Sequence, residues 1–352
     1  MYIVFAIIAF GVLIAVHEVG HFTAAKLLGV KVNEFAIGMG PKLLKKQGKE
    51  TLYTLRALPI GGFCAMEGEN ESSEDARSFT AQKRWRRVII LAAGGIANLV
   101  VCFIIIVIMV SGSKSFVGTT LTGLFEGFPN EGENGLMVGD KLVSINGERL
   151  YYFEDVNLFL ELSKSGYFDL VIRRGGETIT LDKFPLEKRE YIIDGKPELK
   201  YGLIFDLIEA TAMGKLKYSC YTTINYIRLI RVSLAQLFSG AAGVRDLSGP
   251  VGIVDAMNTA GRASPNFGAA IWSIVGLMAF IGVNLAVVNL LPIPAMDGGR
   301  ILFLFITWVI EKVIRRRLDP KYEGYIHTTA LVLLMGLMVF ILVNDVVKIV
   351  RS

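Results

Sequence analysis

The sequence predicts a polytopic α-helical membrane protein with four transmembrane helices, a membrane-associated β-hairpin and one inserted α+β domain. The chain has 352 residues, 53% of them hydrophobic, and a mean hydropathy of +0.50. Soluble domains contain about 45–50% apolar residues and few long uncharged runs. Here the apolar excess is concentrated in four segments, each long enough for the roughly 20 residues that a membrane-crossing helix needs. These segments are residues 1–30, 88–110, 267–292 and 325–347.

A long stretch of mixed composition, residues 111–266, separates the second and third segments. It has room for one extramembrane domain of about 100 residues and a connector. We therefore divide the chain into four parts. They are residues 1–111 with the first two spans and the hairpin, 116–205 with the outer domain, 206–266 with an amphipathic connector, and 267–352 with the last two spans.

Basic residues are grouped at the ends of the apolar segments and predict the orientation of the chain. The formal net charge is +5, and clusters of lysine and arginine follow the first segment, precede the second and lie between the third and fourth. With four spans these clusters share one side of the membrane, which the positive-inside rule makes cytoplasmic. Both termini and the inserted domain are then expected outside. No nucleic-acid motif accompanies the charge, so binding to nucleic acid is not expected.

The first segment carries the motif His17-Glu18-Val19-Gly20-His21. Positions i and i+4 lie on one helix face, so both imidazoles can reach one Zn²⁺. The glutamate between them can take a proton from the attacking water. Each charge in a membrane helix costs about 2.5 kcal/mol or more, a cost that metal binding would offset. The alternative is that the histidines only pair with each other or with a neighbouring helix. The H-E-x-x-H spacing, with two ligands and a proton acceptor, favours metal binding instead.

The second segment opens with the small residues Ala92-Ala93-Gly94-Gly95-Ile96-Ala97-Asn98. Small residues let membrane helices approach closely, and an asparagine can hydrogen-bond a neighbouring helix. We expect the two glycines to serve helix packing.

Residues 51–63 alternate in polarity and are rich in β-forming side chains, and Ile60-Gly61-Gly62-Phe63 gives a turn signal. The segment lies between the first two spans and is too short to cross the bilayer. We expect a β-hairpin that either dips toward the metal site or lies in the cytoplasm. Non-helical backbone is tolerated at membrane depth only against protein or water.

A third metal ligand is expected at the end of the third span, because catalytic zinc usually has three protein ligands. Asp297 is the only carboxylate between Asp255 and Glu311. Prolines before it break the helix, and glycines after it let backbone approach closely. A helix-capping role for Asp297 is the alternative. His327, near basic residues at the start of the fourth span, is more typical of an interfacial histidine than of a ligand.

The inserted region predicts short strands, one short helix and a long amphipathic helix. An Asn-Gly pair and a Gly-Gly pair mark the expected tight turns. The predicted elements are a turn, a strand and an Asn-Gly turn over 135–147, a helix over 156–162, a hairpin of 168–174 with 177–181 around Gly175-Gly176, a helix along the outer membrane surface over 213–238, and a turn-rich junction over 247–253.

The order of these elements resembles a bacterial, circularly permuted PDZ domain over residues 116–205. Its core is the L-x-x-G-D pattern from Leu136 to Gly147. A PDZ domain usually binds an extended peptide as an added strand. The alternative is a steric plug or spacer. No G-L-G-F pattern identifies a carboxylate-binding loop, so the sequence leaves both readings open.

The paired motifs, H-E-x-x-H in the first span and N-x-x-P-x-P-x-x-D-G at residues 289–298, resemble those of the site-2 protease family in its bacterial RseP/RasP branch. The resemblance covers nearly the whole chain. It implies an intramembrane zinc metalloprotease of the bacterial inner (cytoplasmic) membrane. It also implies regulated intramembrane proteolysis, in which a single-span regulator such as an anti-sigma factor is first cut by another protease outside the membrane.

The resemblance assigns roles to named residues. His17, His21 and Asp297 match the zinc ligands, Glu18 matches the catalytic base, Asn289 matches a polar residue that holds substrate, and Gly61, Gly62 and Phe63 belong to a segment that matches a membrane-reentrant, substrate-binding hairpin. Two positions depart from the family pattern. Met296 replaces the usual leucine, a change that conserves volume, and Gly95 replaces the usual proline.

Two other classes of function are the alternatives to a protease. A catalytically silent membrane adaptor would bind peptides through the PDZ-like domain, and loss of Glu18 or Asp297 would favour it. Both residues are present. A metal transporter would have several polar residues along each span, a pattern that the apolar segments do not have. We therefore expect a membrane zinc metalloendopeptidase.

Overall fold

The computed structural model describes residues 2–69, 73–163, 165–193, 195–240, 243, 249–315 and 321–351. The helices are α1 Tyr2–Leu27, α2 Arg84–Ser111, α3 Phe153–Leu162, α4 Ala212–Phe238, α5 Pro250–Ala263, α6 Phe267–Leu290, α7 Asp297–Ile314 and α8 Lys321–Arg351. The strands are β1 Val32–Gln47, β2 Leu52–Met66, β3 Ser115–Leu124, β4 Lys141–Ile145, β5 Glu148–Arg149, β6 Tyr167–Arg174, β7 Glu177–Pro185, β8 Arg189–Ile193, β9 Lys196–Lys200 and β10 Leu203–Glu209. Two compact units result, Met1–Met109 with Tyr226–Ser352, and Val110–Asn225.

In the described part of the chain, four helices are long and apolar enough to cross a membrane, as predicted. They are α1, α2, α6 and, within α8, residues Thr328–Asp345. Their ends follow local chemistry. Helix α1 stops at Leu27 because Gly29 adopts a left-handed conformation, with φ of 81°, the usual helix C-terminus. Helix α6 stops at Leu290, before the first proline of the segment that follows.

Glycines let α1, α2 and α6 pack closely. A Cβ added at Gly20 of α1 would lie 2.4 Å from the carbonyl oxygen of Ala93 in α2. One added at Gly95 would lie 2.9 Å from Cγ of Leu290 in α6. These distances are shorter than van der Waals contact, so neither position has space for a side chain. The predicted packing role of the glycines in the second span is confirmed, and Gly95 serves it without the family's proline.

A buried carboxylate attaches α8 to the rest of its unit. Asp345 is 3% exposed and accepts hydrogen bonds from the backbone N–H groups of Gly249 and Gly252, both at 2.9 Å. These groups belong to the N-terminus of α5, where a carboxylate satisfies free donors and the helix dipole. Most apolar side chains of α8 are exposed, as a helix facing lipid would have them.

The β-hairpin differs from the prediction. Residues 52–63 do not form a hairpin by themselves, because they belong to the single strand β2, which pairs with β1. Both strands bend at glycines with positive φ, including Gly38, Gly40 and Gly61. The pairing places four segments side by side in the order 44–47, 52–55, 34–37 and 62–66. The Gly61-Gly62 pair is therefore a bend within a strand and not a hairpin turn.

The unit Val110–Asn225 contains a sheet with strand order β10-β3-β4-β6-β7 and β5 paired to β4. The predicted helix lies within α3, and the predicted hairpin around Gly175-Gly176 is the β6–β7 pair. The long helix predicted over 213–238 is α4. Strand β10 crosses the expected domain boundary at residue 205. Of the predicted junction over 247–253, residues 250–253 begin α5, and 247 and 248 lie outside the described residues.

Asp140, the aspartate of the L-x-x-G-D pattern, is fully buried in this unit. Arg174 donates to its two oxygens from Nε and Nη2, each at 2.7 Å. The backbone N–H of Met137 donates to it at 2.8 Å. A buried carboxylate needs such partners, and this bidentate pair connects the turn before β4 to the end of β6.

Candidate active site

His17, His21 and Asp297 converge on one point. The two histidine Nε2 atoms are 3.1 Å apart, and each lies 3.2 Å from Oδ2 of Asp297. In the described residues they form the one group of three potential metal ligands whose donor atoms lie close together. Both histidines are buried, and the aspartate side chain is 18% exposed. The structure therefore brings Asp297 to two histidines that lie about 280 residues before it in the sequence.

This triangle fits a zinc ion. Tetrahedral Zn²⁺ with bonds of about 2.0–2.1 Å holds its ligand atoms roughly 3.3 Å apart, close to the spacing in the structure. Oδ2 of Asp297 is buried and has no hydrogen-bond partner in the described part of the chain. A proton shared by the two imidazoles would leave that oxygen unsatisfied, whereas a dication satisfies all three atoms.

Backbone and ring contacts orient the histidines. Nδ1 of His21 donates to the carbonyl oxygen of Ile90 in α2 at 2.8 Å. A carbonyl oxygen only accepts, so the proton is on Nδ1 and the lone pair on Nε2 is free for a metal. The ring of His17 stands edge-on to that of His21, with centroids 4.7 Å apart. The helical i, i+4 spacing provides this arrangement.

Gly94 of α2 packs directly against the two imidazoles. A Cβ at this position would lie 2.3 Å from Nε2 of His21 and 2.7 Å from Cε1 of His17. No side chain fits there without moving the rings. The glycine thus serves helix packing, as predicted, and that packing also fixes the positions of the two histidine rings.

Asp297 is positioned by a broken connection between α6 and α7. Met296 occupies the N-cap position of α7, and Asp297 is the first residue of the helix, where the dipole favours an anion. Ala295 just before it has φ of 73°, a strained conformation for a residue with a Cβ. Gly298 packs against the carbonyl oxygens of Leu290 and Leu291 so closely that a Cβ would lie 2.3 Å from each.

His17, His21 and Asp297 border a cavity of about 400 Å³. Glu18 lines it, as does the last segment of β2. Burial raises the pKa of the Cys64 thiol in this segment to about 12, so the thiol stays neutral. The lining residues are His17, Glu18, His21, Phe63, Cys64, Ala65, Met66, Glu69, Leu91, Ala295, Asp297 and Arg300.

The predicted substrate-binding residues are only partly brought to this cavity. Phe63 lines it, and a Cβ at Gly62 would lie 3.2 Å from Cγ of Glu18. Gly61 bends the strand beside the side chain of Met39. Asn289, in the last turn of α6, is partly exposed and is not among the described residues that line the cavity. The side chain of His327 lies outside the described part of the structure.

Glu69 and Arg300 are cavity residues that the sequence analysis missed. Glu69 follows the end of β2, and Arg300 lies one turn after Asp297. For Arg300 the sequence contains one indication, because residues i and i+3 share a helix face and Arg300 lies three residues after Asp297. For Glu69 it contains none.

Comparison with known proteins agrees with this geometry. The model of Peptidase family M50 matches residues 5–337. Proteins named "Putative zinc metalloprotease" are similar over nearly the whole chain. One from Clostridium acetobutylicum is 36% identical, covering 98% of this chain and 97% of its own length. One from Clostridium perfringens is 36% identical with 99% of both chains covered, and one from Synechocystis is 32% identical with 97% and 93% covered.

The fold and the site therefore define a multi-pass membrane metalloprotease. The chain belongs to peptidase family M50, the site-2 proteases. Its cofactor is Zn²⁺, in agreement with its relatives. The family, the class of enzyme and the cofactor that the sequence predicted are confirmed.

Gly94→Ala should weaken zinc binding, because the new Cβ displaces both imidazoles. We expect at least a roughly tenfold loss of zinc affinity, the effect of disturbing groups that orient metal ligands. Metal analysis of the purified protein against a zinc buffer series measures it. Gly336→Ala is the matched control, because Gly336 also lies in an apolar helix but has nothing within 4 Å of an added Cβ. Wild-type zinc affinity in Gly94→Ala would contradict the close packing described here.

Proposed function

We propose that this protein cleaves the transmembrane segment of a membrane-anchored regulator, with His17, His21 and Asp297 as zinc ligands and Glu18 as catalytic base. The observation that carries the proposal is the triangle of three ligand atoms beside Glu18 in one cavity. An adaptor without catalysis has no need for a glutamate next to a metal-binding triangle. The substrate is proposed to be a single-span protein, such as an anti-sigma factor, already cut by another protease.

The chemistry follows from the positions of these side chains. Bound Zn²⁺ acts as a Lewis acid that polarises a carbonyl and makes water more acidic. Glu18 takes the proton from the attacking water and passes it to the leaving amine. Apolar neighbours such as Phe63 and Leu91 limit the water around the reacting bond, which strengthens electrostatic interactions in the site.

The segment 62–66 of β2 is the proposed docking edge for the substrate. It pairs with residues 34–37 on one side, and no described strand pairs with its other side. Its residues from Phe63 to Met66 line the cavity. A peptide unwound from a helix loses its internal hydrogen bonds, and strand addition would replace them. Residues 52–55 are unsuitable for this, because they have neighbours on both sides. Asn289 is retained from the family resemblance as a residue that holds substrate outside this cavity.

Glu18→Gln should retain zinc and lose at least about a hundredfold in cleavage rate, because only the proton carrier is removed. Asp297→Ala is the contrasting variant, and it should lose zinc as well as activity. Cleavage of a single-span substrate by purified full-length enzyme, together with metal analysis, separates the two effects. Substantial proteolysis by Glu18→Gln would remove the role proposed for this residue.

The proposed location is the bacterial inner membrane, with both termini and the unit Val110–Asn225 outside. Basic clusters at the ends of the spans support this orientation. Because Cys64 and Cys102 are buried and Cys220 is exposed, a Cys220→Ser background leaves little reactive thiol.

In that background, Asn134→Cys should react with a membrane-impermeant maleimide in intact spheroplasts, because Asn134 is an exposed residue of the outer unit. Glu74→Cys, at an exposed position between β2 and α2, should react only after permeabilisation. The reverse labelling pattern would overturn the orientation.

We also propose that the outer unit is PDZ-like and screens substrates by size. Peptide capture would use the free edge of β10 beside α3. That space is narrowed by the rings of Phe153 and Phe205, 5.3 Å apart, and by a hydrogen bond of 3.2 Å from the Tyr201 hydroxyl to the carbonyl oxygen of Leu160. The exclusion of large substrates therefore has more support than the binding of a peptide at the edge of β10.

Deletion of residues 115–209 should let the enzyme cut substrates that have not been trimmed outside the membrane. This deletion removes both β3 and β10, and its ends lie together, since Ala210 N–H donates to the Lys114 carbonyl oxygen at 3.0 Å. Zinc content should be unchanged, because the proposed ligands lie outside the deleted region. If the variant leaves untrimmed substrate intact and cuts trimmed substrate more slowly, the domain captures peptides instead.

A further inference from the structure

An ion pair between Glu69 and Arg300 lies in the wall of the catalytic cavity, and the mechanism above does not use it. Nη1 of Arg300 donates to Oε1 of Glu69. The two side chains are only 28% and 16% exposed. The pair is therefore shielded from water more than a surface salt bridge, whose contribution is small.

The pair connects the two parts of the site that must act on one peptide bond. Glu69 follows the docking edge 62–66 by three residues, and Oε2 of Glu69 also accepts from the N–H of Met66, the last residue of that edge, at 3.4 Å. Arg300 lies one helical turn after Asp297 in α7. The partners are 231 residues apart in sequence, so no local structure sets their distance.

The other charges in the cavity make Glu69 and Arg300 each require the opposite charge of the other. The described lining residues include the carboxylates of Glu18, Asp297 and Glu69, and Arg300 is the one lysine or arginine among them. Without Arg300, Glu69 would add an unpaired negative charge beside the catalytic base. Without Glu69, the guanidinium charge would lose this carboxylate partner close to the proposed metal position. Removing one partner of a shielded ion pair leaves an uncompensated charge, so it destabilises the site more than removing both partners does.

We propose that Glu69 and Arg300 form a positioning pair that fixes the docking edge of β2 relative to Asp297. The pair places the substrate bond over the metal site and does not itself touch the reacting atoms. This inference rests on the proposed function, because it uses the docking edge and the ligand role of Asp297. A displacement of about 1 Å in an active site can cost roughly a hundredfold in rate, so the effect is measurable.

The test compares Glu69→Gln, Arg300→Gln, the double variant Glu69→Gln/Arg300→Gln and the exchanged pair Glu69→Arg/Arg300→Glu in purified full-length enzyme. Each single variant should lose roughly tenfold or more in kcat, with a smaller change in KM and with zinc and thermal midpoint retained. The losses should not multiply in the double variant, because the two residues act as a unit. The exchanged pair should recover activity relative to both single variants.

Glu311→Gln is the matched control. Glu311 forms an ion pair with Arg84, so it also connects α7 to another element, but neither residue lines the cavity. Its kcat should stay within about twofold of the wild type, the effect of a more exposed pair.

Three results would overturn the positioning role. They are wild-type kcat in both single variants, a loss of activity that follows a loss of zinc, and an exchanged pair no better than the single variants. Inactive wild-type enzyme with bound zinc would instead refute the proposed function, and the pair's role with it. A cleaving wild type with full activity in both Glu69→Gln and Arg300→Gln refutes the pair alone.

Discussion

Three lone-pair donors facing one another in an apolar setting are the constraint on which the membrane unit depends. Two imidazole nitrogens and one carboxylate oxygen lie within 3.2 Å of each other, and a single proton cannot satisfy all three. A divalent cation can, and its binding would offset the cost of placing His17 and His21 in α1, a helix that is otherwise suited to lipid. The rest of the unit holds this triangle in place. Gly94 lets α2 contact the rings, and the break between α6 and α7 brings Asp297 to them.

An open strand edge is normally a liability, because its unpaired backbone groups recruit other chains. In this protein the edge 62–66 borders the cavity that contains Glu18. Gly62 lies close to Glu18, so β2 and α1 together form one wall of this cavity. A chain added to the edge would therefore lie beside the proposed base. The feature that promotes aggregation elsewhere suits the proposed reaction, in which the substrate would become extended.

Local patterns predicted the parts of the structure that local chemistry determines. The i, i+4 histidines, the apolar segments and the Gly-Gly turn between β6 and β7 each have a cause within a few residues. The β1–β2 sheet was predicted wrongly because its order joins segments that are distant in sequence, and its lysine-rich first strand has no clear alternation. The Glu69–Arg300 pair was missed for the same reason. Asp297 was an exception, since a lone carboxylate in an apolar region was informative without any knowledge of its contacts.

The order of the chain also determines when the enzyme can become active. Both histidines and Glu18 are synthesised first, whereas Asp297 follows about 280 residues later. At about 5–20 residues per second, roughly 15 to 55 seconds of translation separate them. The unit Val110–Asn225 is made in that interval. A nascent chain that has not yet made α7 has two of the three proposed ligands, so the proposed metal site is complete only after the unit Val110–Asn225 has been made.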